Sequence, residues 1–480
     1  MKHALLLLLC GGLSACGGGG DSGSTVPPPT GAAPQTIITS GPVTNFGSIV
    51  VNGVHYNTDS ASFSLDGAPA TQADLKVGHV VTVTGTISGD GSTGRADRVS
   101  FDDLVKGPVT SIDLAAQRLV VLGQTVIVGA DTSFDDRFSP ASLDGVSIDQ
   151  IVEVSGQLDA DGNIVATRIE PKPVGTVFEV HGTVENLDTV SMRFNLNALV
   201  VDYSTAILDD FAGGQIAAGD FVEAKGSSLG AGGELLATKV ELESVLPGAG
   251  NGDFVEIEGF ITRFVSAEDF DVAGFPVTVT SATRFEGGSA ADLGLNLKVE
   301  VDGVVNDDGV LVAEKIDIRR ARAVRVTATV DSVAAASDSL IMLGITINVD
   351  MLTRMEDKTD ADVSPFNVSD ITAGDYLEVR GTEFPAGSGR ILAGRLERED
   401  ADEDTILQGF VESFSEPTIE ILGVTIETNA GTQFEDANGA SISAAEFFSR
   451  LTTNSLVKAK GAEVSDSTIV AREVEFETES

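Results

Sequence analysis

The chain reads as an all-β protein: six tandem, small barrel-like modules, OB-like or sandwich, each about 65–80 residues long and set in an extended array. Three observations predict this. An apolar-alternating strand ending on glycine occurs six times, as VTVTG (Val81 to Gly85), VEVSG (Val152 to Gly156), VEAKG (Val222 to Gly226), VEVDG (Val299 to Gly303), LEVRG (Leu377 to Gly381) and VKAKG (Val457 to Gly461). Its glycines lie 71, 70, 77, 78 and 80 residues apart, so one unit fills the chain. Val, Ile, Thr and Gly dominate and Trp is absent, which suits strands joined by tight turns.

Residues 1–15 have the layout of a signal peptide. Lys2 and His3 precede the apolar run Ala4 to Cys10, and small residues lead on to Leu13-Ser14-Ala15-Cys16. The run is too short to span a bilayer. The tetrad resembles the lipobox of bacterial lipoproteins, which implies lipid attachment at Cys16 and a lipid-anchored place in the cell envelope. Gly17 stands where an aspartate would favour inner-membrane retention, so the same resemblance implies the outer membrane, with the periplasmic or surface face open. Residues 16–40 are rich in Gly, Ser and Pro and read as a tether.

The modules follow as residues 41–105, 106–175, 176–250, 251–320, 321–400 and 401–480. Each begins with a glycine-containing strand, such as GPVTNF (Gly41 to Phe46) or QGFVESF (Gln408 to Phe414); the fifth has Ala328 in the glycine slot. A hairpin-like stretch comes next, as in VVLGQTVIV (Val120 to Val128) and IMLGITINV (Ile341 to Val349), with Ala198 replacing glycine in the third module. Its glycine suits a turn or bulge that needs a positive φ. A Thr-x-Phe step follows at Thr132, Thr283 and Thr432, and Phe63, Leu208 and Met355 hold comparable places elsewhere; these large side chains are expected in the core. A variable stretch then has room for one helical turn or a short helix. The VxVxG strand comes next, and a strand such as NIVATRIE (Asn163 to Glu170) closes the unit. Closure into a barrel removes exposed edges, and short connections such as Asp102 to Lys106 bring neighbours together in a curved or extended row.

Several functions find no support. With 73 acidic against 30 basic residues the formal charge is −43, which repels phosphate backbones, so nucleic acid is not an expected partner. The only cysteines are Cys10 and Cys16, so the modules have no disulfide or cysteine-ligated metal. His55, His79 and His181 show no metal-ligand spacing, and no nucleophile elbow or phosphate loop occurs. No catalytic, cofactor-binding or metal residue is therefore assigned. The acidic turns at Asp159 to Asn163 and Asn306 to Gly309 allow weak Ca²⁺ binding, but Asp-Gly between alternating runs is first a hairpin signal.

The order of these motifs, G-x-[VI], x-x-G-x-x-[VI]-x-[VI], [VL]-x-V-x-G and [IL]-x-A-x-x-[IV], resembles the repeat domain of unknown function DUF5666, across nearly all of residues 41–477. The resemblance implies a secreted or lipid-anchored envelope protein with several copies, and it transfers no functional residue. The expected function is non-enzymatic: the modules serve as scaffold, spacer or protein-interaction surface, with the membrane and an envelope protein as partners. The alternative is a ligand-binding or sensing protein for Ca²⁺ or an envelope polymer.

Overall fold

A computed structural model describes residues 35–477, apart from 245, 320–322, 386 and 403. Every module closes by one circuit, seen plainly in the second. Its first strand (Val105–Asp113) pairs antiparallel with the second (Arg118–Val121), and the second with the third (Gln124–Phe134). The third runs parallel to the fifth (Ile164–Pro171), which pairs antiparallel with the fourth (Ile151–Leu158), and the fourth returns to the first. The ring order 1-2-3-5-4-1 decides for an OB-like barrel over a sandwich. Between the third and fourth strands lies a single 3₁₀ turn in the first five modules, for example Leu143–Gly145. The sixth has a helix there, Ala444–Arg450, capped by the Ser443 hydroxyl, which accepts from the Glu446 N–H. No helix of the described residues is long and apolar enough to cross a membrane.

The six VxVxG glycines mark a β-bulge. Pairing of the fourth with the fifth strand slips by one residue at Gly85, Gly156, Gly226, Gly303, Gly381 and Gly461. There a carbonyl of the fifth strand presses on the glycine: a Cβ on Gly85 would lie 2.0 Å from the Arg95 oxygen, and one on Gly303 2.1 Å from that of Val312. Opposite each glycine is a buried alanine (Ala96, Ala166, Ala237, Ala313, Ala393, Ala471). The threonine of the Thr-x-Phe step fastens this bulge, because Thr132, Thr283, Thr353 and Thr432 each donate to the carbonyl of that alanine at 2.7–2.8 Å. The hairpin signal is a turn with positive φ, as at Leu122 and Gly123 (φ 46° and 72°). Leu122 folds back over Gly107, which has no side chain to block it. Phe134, Phe434 and Met355 are buried as expected, while Phe63, Phe285 and Leu208 are half-buried.

The arrangement of the modules departs from a row in sequence order. First strands join the barrels in pairs. Modules two and three meet antiparallel (Lys106 opposite Glu179), as do five and six (Val326 opposite Leu407). Modules one and four meet in parallel, Ile37–Ser40 against Phe254–Ile257, although two modules separate them along the chain. Each first strand splits between its second and fourth strands, as Val105–Pro108 and Val109–Asp113 do, which leaves a free edge that a neighbour covers. Among the described residues three sheets of 13, 12 and 14 strands result. Modules two and three share one apolar core, and five and six another. The tether also ends before residue 40. The opening strand is Gln35–Asn45, since Ile37 and Ile38 are buried between the barrels of modules one and four. Cys16 and the expected signal peptide lie outside the described residues.

Candidate functional site: charged faces buried at the module seams

Alternation along VxVxG turns its valines inward and the residue between them outward. That outward residue is Glu153, Glu223, Glu300 and Glu378 in modules two to five. Directly opposite on the fifth strand stand Glu170, Glu241, Asp317 and Glu397. Four barrels thus place two carboxylates side by side, an arrangement that is unfavourable unless cations answer it. Lys172 answers between Glu153 (2.8 Å) and Glu170 (3.2 Å), and Lys225 pairs with Glu223 at 2.8 Å. Arg319 pairs with Glu300 and, at 2.9 Å, with Asp317; Arg395 reaches Glu378 at 2.7 Å and Glu397 at 3.4 Å.

These faces are buried because the barrels pack through them. Where modules one, two and three meet, the Lys106 ammonium lies 2.6 Å from Asp66, 2.9 Å from Asp103, 3.1 Å from Glu179 and 3.9 Å from Glu153. Burial pushes the Asp103 carboxyl well above the usual carboxylate range. At the seam of modules two and five, buried Arg168 pairs with Glu170 (2.7 Å) and Glu356 (3.1 Å) and donates to the Val77 carbonyl of module one. Arg395 donates to the Thr132 carbonyl, and the Ser133 hydroxyl to Glu397. Burial alone would raise Glu170, but Arg168, His79 and Lys172 outweigh it and hold the carboxyl at about 2. At the seam of modules one and four the Thr39 hydroxyl donates to Glu256, close to Glu300 and Asp302. Burial lifts Glu300 to about 7 and Asp302 to about 6.

The three histidines of the modules are dispersed. His55 is exposed beside Ser48. His79 is buried, stacks on Phe101 and accepts the Lys76 N–H at Nδ1, so its Nε2 holds the proton. Burial pushes its imidazole down to about 3. His181 lies beside Glu223 and Glu243 on the outer face of module three. The acidic turns spend their oxygens on their own loops: Asp159 accepts from the Asp161 and Asn163 N–H groups, and Asn306 from those of Asp308 and Val310. A cleft of about 410 Å³ beside the helix of module six is lined by Asp436, Arg450, Leu456, Phe476 and Glu477 among others.

Sequence reading missed these clusters, although a signal was present, since a glutamate recurs between the valines of VxVxG in four modules. The charged outer face of these strands is a packing face. Compared with known families, the chain matches the model of a domain of unknown function, DUF5666, six times: at residues 37–100, 106–170, 181–241, 258–317, 327–397 and 408–475. No curated protein matches it.

Proposed function

Because the chain belongs to the DUF5666 family of domains of unknown function, we propose, from its own residues, a non-enzymatic, lipid-anchored cell-envelope protein whose modules act together as a scaffold or spacer. The observation that carries this reading is the burial of charged barrel faces against one another. Arg168 of module two, for example, reaches both Val77 of module one and Glu356 of module five. Six barrels joined in this way present one body at the end of a tether. Such a body offers reach and a large, strongly acidic surface to an envelope protein partner.

The alternative, a sensor of Ca²⁺ or an envelope polymer, loses its first candidates, because the turns at Asp159 and Asn306 already use their oxygens internally. The test is membrane fractionation with in-cell crosslinking. The wild-type chain is expected in the membrane fraction with one reproducible protein partner, and Cys16→Ala is expected in the soluble fraction. Retention of that variant on membranes would refute the anchor. Capture of no protein by the anchored chain would refute the interaction role and leave the spacer.

A further inference from the structure

We infer that His181, Glu223 and Glu243 form a binding site for one divalent transition metal of the zinc type on the outer face of module three. Three adjacent strands assemble it. His181, on the strand Phe178–Thr183, is directly opposite Glu223 on Phe221–Leu229. Glu243 follows the strand Leu235–Leu242 on the other side of Phe221–Leu229, and its N–H is held by the Phe221 carbonyl at 2.9 Å. One ligand atom from each of the three residues lies within 4.8 Å of the other two.

The imidazole carries the argument. His181 is 7% exposed, its Nδ1 is fully buried without a hydrogen-bond partner, and its Nε2 stands 3.9 Å from Glu223 Oε1. Nε2 is the nitrogen that faces the carboxylates, and a metal bound there would leave Nδ1, beside the Asp103 backbone, to orient the ring. Bonds of about 2.0–2.1 Å set neighbouring ligands of a tetrahedral zinc about 3.4 Å apart, so a small closure of this gap suffices. One imidazole nitrogen with two carboxylates suits zinc, whereas calcium calls for six to eight oxygens.

Two other carboxylate groups already hold their cations. Lys106 stands between Asp66, Asp103 and Glu179 as the resident cation. At His79 the Lys76 N–H occupies Nδ1, and Lys172 and Arg168 take up Glu153 and Glu170. At His181 the competing cation is Lys225, 2.8 Å from Glu223 Oε1. Lys225 also lies 3.4 Å from Glu179 and from the Asp66 carbonyl, so it has somewhere to turn when a metal takes Glu223.

The test uses the full chain, stripped with a chelator and titrated with zinc chloride, with zinc counted after desalting. One zinc per chain is expected. Affinity should fall at least tenfold in His181→Gln and in Glu243→Gln and persist in His55→Gln and His79→Gln. Circular dichroism without metal checks each fold, and the half-buried Glu243 decides if His181→Gln misfolds. No zinc retained by the wild-type chain, or equal binding by the Glu243 variant, would overturn the assignment.

Discussion

Lys106 is one ammonium answering four carboxylates from three modules. The pairs cost desolvation to bury, so their presence adds little net stability, but removal of the cation is a different matter. Lys106→Met would leave Asp66, Asp103, Glu153 and Glu179 facing one another with only Lys225 and Lys172 nearby. A loss of about 3–5 kcal/mol is expected from urea unfolding, and an unchanged midpoint would mean that water already solvates the cluster. Beside His181 the Glu223 carboxylate is answered too, by Lys225 at 2.8 Å. The two sites differ in one physical respect: Lys106 is held by four carboxylates at once, whereas Lys225 has Glu179 and the Asp66 carbonyl, each at 3.4 Å, to turn to.

Among the elements, the bulge between the fourth and fifth strands sets the barrel's curvature, and glycine there is a steric requirement. A Cβ on Gly156 would meet the Val165 carbonyl at 2.5 Å, so Gly156→Ala must push backbone aside and is expected to cost about 1–3 kcal/mol. Thr432→Val tests the latch on the same bulge. It leaves the buried Ala471 carbonyl without its hydroxyl donor and should cost about 1–3 kcal/mol, read from the thermal midpoint. The glycine and alanine of this bulge were legible in the sequence because they are local and recur in the same order, 10 to 12 residues apart, in every copy. The Thr role was not read, since a hydroxyl beside a phenylalanine draws the eye to the phenylalanine. The pairing of modules one and four was not legible either. Thr39 and Glu256 meet across 217 residues, and nothing in either strand's own pattern announces its partner. The burial of the VxVxG glutamates was not legible, because alternation says which way a side chain points but not what covers it.

At the scale of the whole molecule, burial of so many carboxylates couples stability to pH, and the sign depends on the window. Burial raises Glu300 to about 7, and burial with Glu397 and Glu378 nearby raises Glu399 to about 7. The folded chain therefore keeps protons that the unfolded chain, with ordinary carboxylates, has already lost, and unfolding releases them. This contribution is full below the ordinary carboxylate range and disappears as pH rises through about 7. His79 and His181 act in the opposite sense. Burial lowers them to about 3 and about 4, so their neutral folded state loses stability as pH falls below the usual imidazole range. Glu170, held at about 2, loses its contribution only in stronger acid. Between pH 6.5 and 8 the raised glutamates dominate: the histidines oppose them only while their unfolded forms lose the last protons near the bottom of the window, and the repulsion of 43 net negative charges adds to the fall. Stability should fall across that window by about 1 kcal/mol for each glutamate near 7. Calorimetry in chelator at constant ionic strength reads it as a thermal midpoint that declines from pH 6.5 to 8. A midpoint that is flat or rises would mean that the seams open to water and that the barrels do not stand against one another as one body.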